Sequence, residues 1–456
     1  MPTTRFDISL YKNIYFLGIG GIGMSSLARY FNQNGLNVGG YDKTSTPLTT
    51  ILSEEGIKVH FEDLGENIPS EFQSKENTLV IYTPAIPAKL GEFIFLKDTG
   101  FTLKKRAEIL GIITENSIGL GVAGTHGKTT TSTLLAHILD QSSKKCNAFL
   151  GGISTNANSN FISTIDAEFT VVEADEFDRS FLQLSPFASI VTTTDADHLD
   201  IYGDSNTFLE GFKQYAKKID PAGFLVRHVD VDLSHPNTIT YSFGKGGDYF
   251  GNNAVFRDGK YFIDIQTESS LWPKVEIGLP GEHNAENAVG CVALCQKLGL
   301  TENEIRLGLA TFKGVKRRFE YHLKNQNSIY IDDYAHHPTE IGAFINAVKK
   351  LYPSTEITAI FQPHLFSRTR DFFNEFAEEL GKVDTIILLP IYPAREEPIE
   401  GITSNALLDA IKSESKMVLQ PEEAINYIKN KKPQLTITIG AGDIDKIVCE
   451  IKSVLT

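Results

Sequence analysis

IGLGVAGTHGKTT, residues 118–130, is the stretch that decides the fold. The apolar run Ile118–Val122 reads as a buried strand, and an amphipathic helix follows over Lys128–Leu139. Between them lies Gly124-Thr125-His126-Gly127-Lys128-Thr129-Thr130. A strand, a glycine turn ending in Gly-Lys-Thr and a helix form the end of a P-loop. In such a loop backbone amides cradle phosphate oxygens, Lys128 reaches the β- and γ-phosphates, and the Thr129 hydroxyl can hold Mg²⁺. The stretch departs from the usual G-x-x-x-x-G-K-T: Val122 stands five positions before Gly127, and the glycines are Gly121 and Gly124.

The same alternation runs outward in both directions. Asn13–Leu17 reads as a strand and Gly23–Asn34 as its helix. Val38–Tyr41, Leu79–Tyr82, Phe169–Val172 and Ser189–Thr193 read as further strands, followed by Ser328–Ile331, Ile357–Phe361, Thr385–Leu389 and Leu435–Ile439. Strands that alternate with helices predict parallel α/β sheets, because parallel neighbours need crossover connections. One segment breaks the pattern. Phe243–Gly278 is Gly-rich and strand-like, and it predicts a small antiparallel excursion with Asp258-Gly259 as a hairpin turn.

Two more glycine turns follow strands. Gly18-Ile19-Gly20-Gly21-Ile22-Gly23 is G-x-G-x-x-G between a strand and a helix, a place where amides approach a pyrophosphate. Asp42 ends the next strand, where a ribose-binding acid would sit. Gly440-Ala441-Gly442 predicts only a close strand-to-helix turn.

Acidic clusters follow two central strands: Glu173-Ala174-Asp175-Glu176-Phe177-Asp178 and Asp195-Ala196-Asp197-His198-Leu199-Asp200. Strand C-termini of a parallel sheet share one edge, so both clusters are expected beside the P-loop. Carboxylates suit a hard Mg²⁺ ion, with Glu173 the first acid beyond its strand and His198 a ligand or a donor behind one. A solvated acidic loop is the plainer alternative. In the last third, Asp332-Asp333-Tyr334-Ala335-His336-His337 and Gln362-Pro363-His364-Leu365-Phe366-Ser367-Arg368 also follow strands. Their spacing matches no zinc motif, and recognition of an anionic or amino-acid substrate is expected, with Arg368 as the bidentate group.

Composition sets the limits. At roughly 100–200 residues per domain, 456 residues suggest about three domains. Lys and Arg total 43 against 57 Asp and Glu, a net charge of −14 that argues against nucleic-acid binding. No stretch reaches the roughly 18 apolar residues of a membrane helix, and the N-terminus does not read as a signal peptide. Four cysteines form no disulfide framework; Cys291 and Cys295 read as buried thiols in a helix. A soluble cytoplasmic protein is expected. Breaks near Lys104–Ile113 and Lys313–Glu320 place the domains at 1–108, 109–318 and 319–456.

GTHGKTT, EADEFD, DADHLD, GEHNAENA, GVKRRFE, DDYAHHPTE and QPHLFSRTR occur in this order. Together with GIGGIGMSSLA and IYPAREEPIEG, they resemble the Mur ligases of peptidoglycan synthesis, most closely the alanine-adding branch, over nearly the whole chain. The resemblance implies a Rossmann-like UDP-sugar domain, a central P-loop ATPase domain with a small antiparallel part, and a Rossmann-like C-terminal domain. It implies ATP and Mg²⁺, the substrates UDP-N-acetylmuramate and L-alanine, and an acyl phosphate on the lactyl carboxylate. By resemblance Thr129 holds one Mg²⁺, and Glu173 with His198 a second. Gly18, Gly20, Gly21, Gly23, Asp42, Thr83 and Arg106 fall in UDP-sugar segments. His283, Asn284 and Asn287 fall on the ATP side, although Asn284 could instead N-cap a helix over Ala285–Lys297. Arg318 and Asp333 match positions facing ATP phosphate and ribose, and His337, His364 and Arg368 match substrate-facing positions. Some family members bridge their metals with a carbamylated lysine; Lys213 falls near that place, and a surface lysine is the better reading. A sister ligase that recycles the murein tripeptide shares most of these motifs. A nicotinamide oxidoreductase, resting on GIGGIG and Asp42, and a non-catalytic nucleotide-binding regulator leave the P-loop or the acidic clusters unexplained.

Overall fold

The computed structural model describes residues 6–164, 166–195, 202, 204–394 and 396–456. His198, with Asp197 and Asp200, lies outside the described residues.

Three sheets carry the chain. The first holds β1 (Asn13–Leu17), β2 (Asn37–Tyr41), β3 (Lys58–His60), β4 (Thr78–Tyr82) and β5 (Thr102–Lys105). It is all parallel, in the order β3-β2-β1-β4-β5. The second holds β6 (Ile118–Ala123), β7 (Cys146–Ser154), β8 (Ser159–Ile162), β9 (Phe169–Glu173), β10 (Ala188–Val191), β11 (Phe224–His228) and β12 (Thr238–Phe243). It continues through β13 (Tyr249–Arg257), β14 (Lys260–Gln266) and β15 (Leu271–Ile277). Its order is β15-β14-β13-β12-β11-β10-β6-β9-β7-β8, so β6 sits between the two strands that end in acidic clusters. The third holds β16 (Glu320–Lys324), β17 (Ile329–Asp333), β18 (Ile357–Phe361), β19 (Thr385–Leu388), β20 (Ser415–Val418) and β21 (Leu435–Ile439), in the order β16-β17-β21-β18-β19-β20. Helices connect most of the parallel neighbours, while β7–β8 and β16–β17 pair antiparallel without one.

The antiparallel excursion is β13, β14 and β15. Arg257 pairs with Lys260 across Asp258 and Gly259, whose φ values of 54° and 77° are both left-handed, as a two-residue hairpin requires. The expected strand Ser189–Thr193 ends earlier, at Val191, because Thr192 and Thr193 leave the ladder to bond the P-loop. Cys291 and Cys295 are buried inside the helix Glu282–Lys297. That helix begins two residues before Asn284, so Asn284 lies in its first turn and does not cap it.

The chain forms two compact units. One is residues 1–278 with 284–313; the other is 279–283 with 314–456. The first unit contains both of the first two sheets, and one apolar cluster runs through it. Phe16, Leu27 and Phe31 of the first sheet layer join Phe149, Phe161, Val172 and Phe212 of the second. Burial of this kind contributes roughly 1.5–3 kcal/mol per large side chain, so it binds the two layers firmly. A polar clasp crosses the same seam. Buried Asn160 accepts a hydrogen bond from Arg29 Nη1 and donates to the Ile22 carbonyl and, at 2.8 Å, to Ser25 Oγ. In the second unit, apolar side chains cover both faces of the third sheet.

Candidate active site

The P-loop leaves β6 at the carboxyl edge of the second sheet. Gly124 has φ 135°, and a Cβ there would overlap the Thr192 hydroxyl, so only glycine fits. Gly121, the other displaced glycine, makes room for the Tyr215 hydroxyl, which hydrogen-bonds Ser189 Oγ at 2.9 Å. Both glycines are fixed by close packing, Gly124 against Thr192 just past β10 and Gly121 against the helix Ser205–Ala216. The loop is tied down from the β10 side. Thr125 N donates to Thr193 O, Thr125 Oγ1 to Asp195 O at 2.6 Å, and His126 N to Thr193 Oγ1. Gly127 (φ 81°) begins the helix Lys128–Asp140 with no side-chain cap, which leaves the first-turn amides for an anion. The Asn287 side chain lies against Gly127. Asn284 is buried nearby in sequence, and His283 is exposed.

Lys128 is folded back onto its own loop. Its ammonium donates to Gly124 O at 2.7 Å, Thr125 O at 3.3 Å and Glu176 Oε1 at 2.8 Å. Burial pulls its pKa down, but Glu176, Glu173 and Asp175 outweigh that and hold it above the ordinary lysine value. Glu173 ends β9. Ser132 Oγ spans from the Thr129 carbonyl at 3.2 Å to Glu173 Oε2 at 3.5 Å, so the first turn and this carboxylate are neighbours. A Cβ at Gly151 would overlap the Glu173 carboxyl group.

At the edge of the first sheet, Gly18, Gly20, Gly21 and Gly23 turn from β1 into the helix Ile22–Gln33, with Asp42 and Thr83 at the ends of β2 and β4. Asp42 turns inward: Oδ2 accepts from Gly20 N at 2.8 Å and Oδ1 from Thr44 N at 3.1 Å. Both oxygens brace the chain's own loops, and each keeps a second lone pair. Arg106 reaches across to Asp175 at 4.0 Å. A cleft of about 250 Å³ opens here, lined by Gly23, Arg106, Gly151, Glu173 and Asp175. It brings the Arg106 cation to the carboxylates beside the P-loop.

In the second unit, Asp333 is buried and both oxygens accept backbone amides, from Phe319 at 2.7 Å and Ala335 at 2.8 Å. Burial pushes its pKa up to about 6. Arg318 lies over the Tyr334 ring. His337 caps the helix Pro338–Leu351 and packs on Phe372. Its neighbour His336 instead meets His364, with ring centroids 6.2 Å apart, and Arg368 acts electrostatically on both. Burial pulls His336 down to about 4, so it is neutral at pH 7. His364 stacks on Tyr392 at 5.6 Å.

Family models for the Mur ligase catalytic domain, middle domain and glutamate ligase domain match residues 13–117, 122–295 and 317–442. The chain belongs to the Mur ligase family. It is 46% identical to the UDP-N-acetylmuramate–L-alanine ligase of Cytophaga hutchinsonii over 98% of this chain and 97% of that one. It is 48% identical to the enzyme of the same name from Flavobacterium psychrophilum, over 98% and 99%. Among solved structures, the UDP-N-acetylmuramate–alanine ligase of Thermotoga maritima superposes with a TM-score of 0.82 at 25% identity, covering 97% and 98% of the two chains. A murein peptide ligase from Psychrobacter arcticus shares the fold, with a TM-score of 0.69 at 22% identity over 97% and 98%.

A Mur ligase with this loop has a donor set that fits Mg²⁺. A threonine hydroxyl and a carboxylate are hard oxygen ligands, and the space beside Glu173 exists because residue 151 has no side chain. Sequence reasoning missed Gly151, His336 and the pairing of Glu176 with Lys128. A run of two histidines could have signalled that one caps the helix and the other faces the site. Nothing local signalled the other two. Lys213 is exposed on its helix.

Proposed function

We propose that this chain joins L-alanine to the lactyl carboxylate of UDP-N-acetylmuramate, using ATP and passing through an acyl phosphate. The observation that carries the reading is the shared edge where the P-loop, Glu173 and the Arg106 cleft meet. The lactyl carboxylate attacks the γ-phosphorus and ADP leaves. The alanine amine then attacks the acyl carbon, phosphate leaves with the C–O electrons, and the nitrogen loses a proton. A carboxylate and a triphosphate repel one another, so positive groups must stand between them. Lys128 and the first-turn amides serve the phosphates, and Arg106 serves the acceptor. Thr129 and Glu173 would hold Mg²⁺, which supplies charge neutralisation at the phosphates.

Asn287 against Gly127 supports a place for GEHNAENA on the nucleotide side. In the second unit His364 and Arg368, with His336, form the cationic and neutral-imidazole group assigned to alanine. Asp333 and His337 support that group through backbone contacts. The sheets support functional domains near 1–108, 109–318 and 319–456. Three buried thiols and one exposed, none of them paired, suit a reducing cytoplasm. No helix of the described residues is long and apolar enough to cross a membrane.

Phosphate release from ATP, measured with UDP-N-acetylmuramate and each of L-alanine, glycine, L-serine and the L-Ala-γ-D-Glu-meso-diaminopimelate tripeptide, tests the reading. Turnover with L-alanine is expected. Turnover with the tripeptide alone would move the chain to the recycling reaction.

A further inference from the structure

Glu176 has no place in the chemistry above, yet it is the most constrained carboxylate near the P-loop. Its side chain is 1% exposed, and it lies against the Lys128 ammonium, 2.8 Å from Oε1 and 2.7 Å from Oε2. An ammonium has three protons. With Gly124 O, Thr125 O and Glu176 in place, Lys128 has no donor left for a phosphate. The backbone at Glu176 is fixed as well. Its carbonyl accepts from the hydroxyl of buried Tyr202 at 2.6 Å, and the Arg179 guanidinium lies over the Tyr202 ring. Only the side chain is therefore placed to let go.

We infer that Glu176 is a positioning residue that holds Lys128 in the nucleotide-free enzyme, and that a bound nucleotide's phosphate displaces it. Two anions cannot share one buried ammonium without repulsion, so phosphate and Glu176 compete for it. The competition has two consequences. Lys128 is held on its own loop and on Glu176 until a phosphate arrives. The re-formed pair also draws Lys128 away from ADP once the γ-phosphate has been transferred, which speeds release of that product. Burial favours the same outcome, since a carboxylate taken out of water depends on its partner cation.

The inference rests on the nucleotide-binding reading of the P-loop, and the test separates the two. Calorimetry on the full chain measures the affinities of wild type and Glu176→Gln for ADP and for a non-hydrolysable ATP analogue, with steady-state kinetics alongside. Glutamine keeps the shape and one acceptor but removes the charge. ADP is expected to bind about tenfold tighter to the variant, the worth of one charge-assisted hydrogen bond, with KM for ATP lowered and kcat reduced by slow release. A purely structural Glu176 would give a lower melting temperature with nucleotide affinities unchanged or weaker, and that result overturns the inference. If Glu176→Gln does not fold, Tyr202→Phe loosens the anchor and is expected to tighten ADP in the same direction by about threefold; unchanged ADP affinity there overturns it too. Wild-type protein that binds neither nucleotide would instead refute the P-loop reading.

Discussion

Gly23 and Arg106 share one space: a methyl group at residue 23 would overlap the Arg106 guanidinium. The last glycine of the G-x-G-x-x-G turn thus seats a side chain from the start of the helix Arg106–Glu115. Its backbone is not left-handed, so alanine is tolerated locally and even favours the helix. Gly23→Ala should act by displacing Arg106. KM for UDP-N-acetylmuramate is expected to rise about tenfold, with KM for ATP near the wild-type value. Equal losses for both substrates would mean that the substitution disturbs the whole unit.

Gly151 and Glu173 stand in the same relation, across β7 and β9. Gly151→Ala should rotate the Glu173 carboxylate off its position. In a Mg²⁺ titration of activity, half-saturation is expected to move about tenfold higher while the melting temperature stays close to wild type. An unchanged Mg²⁺ curve would remove Glu173 from the metal site.

Lys128→Ala should abolish phosphate release, because it removes the P-loop cation that sits over Gly124 and Thr125 at the start of the helix. UDP-N-acetylmuramate binding, followed by calorimetry, is expected to persist. Loss of both would contradict two separate sites in the first unit.

The Asn160 clasp joins the first two sheet layers. Asn160→Ala leaves Arg29 with Glu55 alone and strips a partner from the Ile22 carbonyl and Ser25 Oγ. A loss of about 2 kcal/mol in the stability of the first unit is expected from one cut buried network, read by denaturant unfolding. A change within about 0.5 kcal/mol would show that apolar packing alone holds the seam.

Two groups in the second unit, buried Asp333 and half-buried His336, oppose each other as pH changes. Burial lifts Asp333 from 3.8 to about 6. The folded state keeps its proton longer, so its contribution is present below 3.8 and lost as pH rises through about 6. Burial lowers His336 from 6.5 to about 4. The folded state refuses a proton that the unfolded chain accepts, so its contribution is present above 6.5 and lost as pH falls through about 4. Relative to wild type, the melting temperature of Asp333→Asn should therefore rise more steeply between pH 4 and 6.5, and that of His336→Gln should fall. Parallel curves for all three proteins would contradict both shifts.

Strand ends, the P-loop and the Asp258-Gly259 hairpin were legible because each depends on residues within a few positions. Alternation marks a half-buried face, and left-handed φ at two successive residues selects Asp-Gly. The site was legible as motifs at strand ends, since a parallel sheet brings those ends to one edge. The contacts between motifs were hidden. Asp42 ends its strand where a ribose acid would sit, and it also bonds Gly20; nothing local to either residue announces that bond. Of two adjacent histidines, His337 faces its own helix and His336 faces His364, a choice made by where the helix starts.

By itself, then, the sequence determined the alternation of strands and helices, the turns, and the residue types at each strand end, because these follow from backbone sterics and local periodicity. Tertiary structure decided which charges meet. Lys128 faces Glu176 from 48 residues away, and Arg29 faces Asn160 from 131, because sheet order places β9 beside β6 and the helix Ile22–Gln33 against β8. Such pairings are set by packing among distant segments, where a shift of one ångström changes a hydrogen bond and leaves the local pattern of residues untouched.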